Sequence, residues 1–371
     1  MTECTLGIDI GTFESKGVLV DGEGQMIASA ARPHRMLVPQ PGWAEHVPDE
    51  DWWGDFVFIT KKLIADSGVA PGDIRVYDNF SVGQISDLEQ VTGDVGLSSE
   101  WGGNQISVVE GDIRDREQTA AGLKGANHII HLAACTGVVP SVKDPLFDCE
   151  QNVMGTLNVL EAARHDGASS FIFASSSAPV GMCEPPVHEE LAPNPASPYG
   201  ASKLAGEGYC KAYANCFDVK TVALRFGNLY GFYSSHKESV VANFIGRAMR
   251  GENLEIYGDG TATRDYIFAD DLSEAIYMAA TKDVPKGSLY QIATHSETTV
   301  TELAEALTAV LKRHGVTGFD LVHTAPRKGD VARNFADISK ARNELGWTPT
   351  TSLEDGLERT VAWFMAKRQS A

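Results

Sequence analysis

No stretch of about 18 consecutive apolar residues occurs in the chain, which argues against a membrane-spanning helix. The opening MTECTLGIDIG carries acid early and lacks a basic region followed by a cleavage site, so it does not read as a secretory leader. Cysteine is scarce, with six residues (Cys4, Cys135, Cys149, Cys183, Cys210 and Cys216). None forms a CxxC pair or stands at ligand spacing from a histidine, so neither a disulfide framework nor a metal set is expected. Free thiols in a reducing cytoplasmic compartment are the expectation. Positive charge is also in deficit: 31 Lys plus Arg stand against 50 Asp plus Glu, a net −19. Such a surface repels phosphate backbones and anionic lipid, which sets nucleic-acid and membrane partners aside. One anionic ligand in a small basic pocket stays compatible with it. Internal repeats and low-complexity tracts are absent. What remains is 371 residues of globular composition, 43% hydrophobic, enough for two domains or one large α/β domain.

The character of the chain changes near residue 74. Before it, Thr5–Ile10 and Gly17–Val20 read as strands joined through a Gly11-Thr12 turn, and Met26–Ala31 as a third strand. Asp51–Ser67 has helical periodicity through Trp52, Phe56, Ile59, Leu63 and Ile64. From Ile74 onward strands and helices alternate. The predicted strands are Ile74–Tyr77, Ile106–Val109, His128–Leu132, Ser170–Ala174 and Thr221–Phe226, with helices at Leu146–His165 and Tyr199–Cys216. Nearly continuous apolar strands between such helices imply a parallel sheet covered on both faces. After Asn228 the pattern loosens, as expected of a smaller lobe over the ligand edge of the sheet.

The sharpest local signal is Tyr199-Gly-Ala-Ser-Lys203. Positions i and i+4 face the same way on a helix, so phenol and ammonium lie side by side. A cation beside a phenol favours the phenolate and makes it a usable base. YxxxK alone is common. Here a predicted strand ends just upstream in Ser175-Ser176-Ser177, at the carboxyl edge where open α/β sheets bind ligands.

Residues from about 75 to 371 resemble the extended short-chain dehydrogenase/reductase family of NAD-dependent nucleotide-sugar epimerases and dehydratases, most closely the UDP-glucose 4-epimerase type. The resemblance rests on VYDNFSVG, VVEGDIRD, IIHLAA, NVMGTLNVLEAA, FIFASSSAPVG, SPYGASKLAGE, ALRFGNLYG, YGDGTATRDYIFADD and RKGDVARNFADISKARNELGW, in family order. It implies Tyr199 as catalytic base, Lys203 as the residue that tunes it and holds the nicotinamide ribose, and Ser176 as hydroxyl partner. It implies NAD contacts at Asp78, Asn79, Asp112, Ile113, Leu132, Ala133, Ala134 and Phe226, and nucleotide-sugar contacts at Asn228, Arg264, Arg327 and Asp330. The implied partner is a UDP-sugar. No metal is implied, and the helices from Leu146 and Tyr199 are candidates for a homodimer interface. A dehydratase of this family usually has an Asp-Glu pair after the catalytic hydroxyl. Ser177-Ala178 stand there instead, which favours epimerisation.

One family element is missing. A full-length member begins with a strand, a GxxGxxG turn and a helix whose N-terminus binds the pyrophosphate. No such turn precedes VYDNF. Residues 1–74 instead resemble the start of an FGGY-family carbohydrate kinase: LGIDIGTFESKGVLVD matches its first phosphate-binding hairpin and PGWAEHVPDEDWW its following loop and helix. In such kinases the Asp9 position helps hold Mg-ATP, but the kinase's catalytic Asp and closing domain have no counterpart, so Asp9 and Thr12 are expected to be relics.

The expected architecture is therefore α/β: a Rossmann-like, doubly wound parallel sheet lacking its first βα unit over 75–227, a nucleotide-sugar lobe over 228–371, and a kinase-like hairpin segment over 1–74. An empty first-strand slot would leave unpaired backbone groups at about 1–3 kcal/mol each, so Thr5–Ile10 or Phe56–Thr60 is expected to fill it, with NAD affinity weakened. A catalytically inactive fusion that at most binds a nucleotide sugar is the alternative, and a sugar kinase the remote one.

Overall fold

The computed structural model describes residues 4–10, 14–21, 26–33, 74–81, 85, 89, 96–99, 105–232, 234, 239–325 and 332–369. The chain divides into two compact units, Met1–Glu110 and Gly111–Ala371.

In the first unit β1 (Cys4–Ile10), β2 (Glu14–Asp21) and β3 (Met26–Pro33) form an antiparallel sheet in that order. The register runs from Ile10 opposite Ser15 to Cys4 opposite Asp21, with an irregularity at Leu19/Val20 between β2 and β3. The hairpin and third strand read from the sequence are both present. Thr5–Ile10 is thereby used in an antiparallel sheet, with β2 its only partner strand among the described residues, and it does not fill a slot in a parallel one. Phe56–Thr60 and the predicted Asp51–Ser67 helix lie outside the described residues. A second, parallel sheet joins β4 (Arg75–Asp78), β5 (Leu97–Ser98) and β6 (Ile106–Glu110), with β6 in the middle.

The second unit opens with α1 (Arg116–Leu123), capped by Asp115, whose carboxylate accepts from the Glu117 and Gln118 amides. Then follow β7 (His128–His131), α2 (Val138–Lys143), α3 (Pro145–Cys149), a π-helical turn (Glu150–Gly155) and α4 (Thr156–Asp166). The single helix expected over Leu146–His165 is thus interrupted by a wider π turn, a feature that periodicity does not resolve and that recurs at functional sites. Next come β8 (Ser170–Ser176), α5 (Pro198–Phe217) and β9 (Thr221–Phe226). The lobe adds β10 (Asn228–Tyr230), α6 (Val240–Met249), β11 (Leu254–Tyr257), β12 (Thr263–Arg264), β13 (Tyr266–Phe268) and α7 (Ala269–Thr281). It ends with β14 (Ser288–Ile292), β15 (Thr298–Thr299), α8 (Val300–Arg313), β16 (Leu321–Thr324) and α9 (Leu353–Gln369).

The four-stranded sheet has the order β14-β9-β8-β7 and is parallel throughout. Alternate side chains point to opposite faces. Ile172, Val222, Leu224, Tyr290 and Ile292 pack with Leu272, Ala275 and Ala279 of α7 on one face. On the other face α5 approaches so closely that a Cβ on Gly206 would lie 2.2 Å from the Phe173 ring. Among the described residues nothing pairs with the free edge of β7. Ile130 on that strand is 46% exposed and Leu132 beyond it 55% exposed. The lobe has its own core, in which Phe244, Ile245, Leu254, Leu303, Leu307, Leu357 and Val361 are buried together.

His131 supplies a pH test of the β7–α4 packing. Its ring is buried, its Nε2 lies 2.9 Å from Thr156 Oγ1, and burial, helped by the nearby Lys203 cation, lowers its pKa to about 3. The unfolded chain takes up this proton near the ordinary value of about 6.5 while the folded one refuses it, so the stability present above that value is lost as pH falls toward 3. Between pH 7 and 5 this group alone should remove about 2 kcal/mol. Urea unfolding at both pH values should show a smaller loss for His131→Gln; equal losses in the two proteins would refute the assignment.

Candidate active site

Serines and helix meet at the carboxyl end of β8. Helix α5 starts sharply: the Ser197 hydroxyl accepts from the Gly200 amide at 3.1 Å and Pro198 occupies the first turn. Gly200 permits the close approach, since a Cβ there would stand 2.6 Å from the Ala178 carbonyl oxygen. This seats Tyr199, in the first turn, against the loop that leaves β8. The Ser176 hydroxyl stands close enough to the Tyr199 phenol to lower its pKa, and it accepts from the Ala178 amide at 3.2 Å.

One turn along α5, Lys203 is 4% exposed. Its Nζ donates to the Ala174 carbonyl at 2.8 Å and lies 5.0 Å from the centroid of the Phe173 ring and 5.9 Å from that of Tyr199. Burial lowers its pKa to about 8 against the opposing pull of Asp148 and Glu207. The Tyr199 phenol does not follow the direction that the Tyr-Lys spacing suggests. Its pKa is raised, first by burial and further by Asp148 and Cys135, with the Ser176 hydroxyl only partly compensating. Loss of hydration outweighs a lysine whose ammonium is turned onto a backbone carbonyl.

Behind this pair lies Asn152, buried in the π turn. It donates to Asp148 Oδ1 at 2.9 Å, to the Cys135 carbonyl at 2.9 Å and to Ser202 Oγ at 3.2 Å, and accepts from the Cys135 amide at 2.8 Å. Asn152 was not singled out by the sequence reading, although it opens the NVMGTLNVLEAA stretch. Asp148 and Glu207 were missed as well; both are buried acids whose charges favour the Lys203 ammonium.

The other expected residues fall into groups. Phe226 is the register partner of Ser176 across β8 and β9. With Ser177, Gly227, Asn228, Gln291 and Asn334 it borders a cavity of about 10 Å³, room for one water molecule. The Asn228 amide donates to the Asp265 carbonyl at 2.7 Å, and Asp265 is followed back by Arg264, whose Nη1 donates to the Thr263 carbonyl at 2.7 Å. The Asp265 carboxylate in turn gathers the Thr294 hydroxyl and the amides of Thr294, His295 and Ala336. Ile113 is buried, its carbonyl accepting from Asn158 at 2.8 Å. Asp112 is engaged by the Arg114 guanidinium, with Nη2 to Oδ2 at 2.8 Å and Nε to Oδ1 at 3.1 Å. Leu132 is exposed, and Ala133 and Ala134 are half-buried beyond β7. Asp78 and Asn79 stand at the end of β4 in the first unit, where Asp78 accepts from the Phe80 amide at 2.6 Å and Asn79 from the Ser81 amide at 3.1 Å. Arg327 and Asp330 lie outside the described residues, as does Thr12. Asp9 is in β1, opposite Lys16. Among the described residues no group of three or more His, Cys, Asp or Glu could hold a metal ion.

A parallel sheet whose edge brings a serine, a tyrosine and a buried lysine together is the arrangement that the motif series implies. Residues 69–360 match the profile of the GDP-mannose 4,6 dehydratase family. The chain belongs to this family. Residues 4–77 match a second profile, the N-terminal domain of the FGGY family of carbohydrate kinases. Among family relatives, a UDP-glucose 4-epimerase from Mycolicibacterium smegmatis is 35% identical over 316 residues, covering 84% of this chain and 95% of that protein. The solved UDP-glucose 4-epimerase from Thermotoga maritima, crystallised with UDP-glucose, superposes with a TM-score of 0.71 at 32% identity, covering 84% of this chain and 96% of that one. A dTDP-glucose 4,6-dehydratase from Streptomyces venezuelae with NAD bound superposes at 0.72 with 28% identity, over 85% and 94%. These neighbours confirm the α/β, Rossmann-like class, and epimerases and dehydratases both stand among them.

Proposed function

We propose that this protein is an NAD-dependent nucleotide-sugar epimerase acting on a UDP-sugar through a 4-keto intermediate, with Tyr199 as base, Ser176 as hydroxyl partner and Lys203 as the residue that orients and charges the site. The observation that carries the reading is the neutral Ser177-Ala178 pair beside Ser176 and Tyr199. Dehydration needs carboxyl groups to move protons at neighbouring sugar carbons, whereas epimerisation needs one base and one hydroxyl at a single carbon. Here Ser177 Oγ accepts from Asn334 at 3.3 Å and offers no carboxylate.

The residues fit the nicotinamide end of the cofactor by their chemistry: a buried ammonium for ribose hydroxyls beside a phenol and a serine. Bound NAD supplies reversible hydride acceptance and, when oxidised, a positive ring charge. Ser176 would hold the sugar hydroxyl through its Oγ, and Tyr199 would take the proton at its phenol oxygen. Because burial raises that phenol and the Lys203 ammonium is turned onto the Ala174 carbonyl, the phenol keeps its proton until a further positive charge stands close. Phe226 would exclude water beside the reacting carbon. Asn228, Arg264 and Arg327 would hold the nucleotide diphosphate, for which guanidinium groups are suited, with Asp330 nearby.

The same reading takes a cytoplasmic location, supported by five described cysteines that are all free, and a homodimer, supported by Val139 and Leu146 at 79% and 77% exposure on α2 and α3. Among the described residues no helix is long and apolar enough to cross a membrane. A second reading, binding of a nucleotide sugar without turnover, is favoured by one observation: the missing glycine turn coincides with exposed Ile130 and Leu132 at the β7 edge. Incubation of the purified protein with NAD and UDP-glucose, followed by chromatography of the nucleotide sugars, decides between them. UDP-galactose is expected. A 4-keto-6-deoxy product would make the chain a dehydratase, and calorimetric binding of UDP-glucose with no product would establish the second reading.

A further inference from the structure

Tyr199 and Lys203 are two members of a longer stripe on α5, and the next position, i+8, is Glu207. Each member meets the end of β8. Tyr199 lies within reach of Ser176, Lys203 donates to the Ala174 carbonyl, and Glu207 Oε1 accepts from the Ser175 hydroxyl at 2.5 Å. The neighbouring strand closes the arrangement: Arg225, the register partner of Ser175, donates through Nε to Glu207 Oε1 at 2.8 Å and through Nη2 to Oε2 at 2.7 Å. Arg225 is 1% exposed, and its buried Nη1 has no hydrogen-bond partner among the described residues.

A buried ion pair with an unpartnered nitrogen is a poor device for stability, because desolvating two charges offsets most of their attraction and apolar replacements are often neutral. A bidentate pair does fix orientation. This one ties α5, β8 and β9 together at the three residues that carry Ser176, Lys203 and Phe226. We propose that Glu207 is a positioning residue for the reaction, acting through Ser175 and Arg225 to hold the end of β8 and through its charge to hold the Lys203 ammonium. The proposal rests on the epimerase reading of the site. The charged and titratable groups around Lys203 are Asp148 of α3, Glu207 and Tyr199 of α5 and His131 of β7. Asp148 and Glu207 keep the ammonium charged against burial, and Glu207 is the one on the same helix.

Glu207→Gln alone strands a buried guanidinium and is expected to unfold easily. The informative protein is therefore Glu207→Gln/Arg225→Met, which removes both charges and should melt like the wild type. Carbon-13 NMR of lysine-labelled protein, with Lys203 assigned through Lys203→Arg, should show its pKa falling below the wild-type value of about 8. Steady-state assays should show kcat reduced about 10²-fold, the effect of a misplaced catalytic group, with KM for the UDP-sugar nearly unchanged. A folded double variant with an unchanged kcat, or with an unchanged Lys203 titration, overturns the proposal. The titration needs no turnover, so a wild-type chain that epimerises nothing sinks the functional reading while the role of Glu207 is still decided.

Discussion

Tyr199→Phe is expected to lower turnover of a UDP-sugar by about 10³-fold, within the range that a positioned general base contributes. The variant removes one oxygen and leaves the rest of the site in place. The ring is packed at the start of α5, and Gly200, Ser197 and Lys203 keep contacts that do not involve the phenol oxygen. Ser176 keeps the bond it accepts from the Ala178 amide. KM should therefore move little while kcat collapses, the pattern of an interaction made in the transition state. The phenol's raised pKa adds a second expectation: activity should climb with pH through the neutral range and above as the base form becomes populated, with no such climb in the residual activity of Tyr199→Phe. Retention of wild-type kcat by the variant would remove Tyr199 from the mechanism.

Trp347→Ala should be among the most destabilising single changes, at about 3–5 kcal/mol for truncating a fully buried aromatic side chain. Trp347 is the largest fully buried side chain among the described residues, 1% exposed, in the cluster that α7 builds against the sheet with Ala279, Leu345 and Ile338. Its ring nitrogen donates to the Asp271 carbonyl at 2.9 Å, and the Asp271 carboxylate accepts from the Thr350 amide, the Thr350 hydroxyl and the Thr351 amide. Truncation thus opens a cavity and removes the indole hydrogen bond to the Asp271 carbonyl. Against a typical domain stability of about 5–15 kcal/mol this is a large fraction. Urea midpoints for the wild type, Trp347→Ala and Trp347→Phe should fall in the order wild type, Phe, Ala; an Ala variant as stable as the wild type would show that the cluster does not hold the sheet face.

Much of this protein was legible without coordinates because much of it is local. Apolar runs of four to seven residues between helical patterns marked β4, β6, β7, β8 and β9 to within a few residues. The i, i+4 spacing of Tyr199 and Lys203 holds once α5 forms, and Ser176 follows from the end of β8. The π turn at Glu150–Gly155 was not legible, because one extra residue in a helical turn leaves the hydrophobic period almost intact. Asn152 was hidden for a different reason: its partners Cys135, Asp148 and Ser202 come from three separate segments.

The sequence by itself determined the α/β alternation, the i, i+4 spacing of Tyr199 and Lys203, the absence of a glycine-rich turn before VYDNF and the likeness of the first residues to an FGGY kinase, since each depends on residue type and spacing along the chain. Only the tertiary structure decided the rest. It turned the Tyr199 pKa upward, committed Asp112 to Arg114, placed Thr5–Ile10 in an antiparallel sheet and set Glu207 between Ser175 and Arg225. Those outcomes follow from dehydration and from pairing between segments distant in the chain, and neither is encoded in the spacing of neighbouring residues.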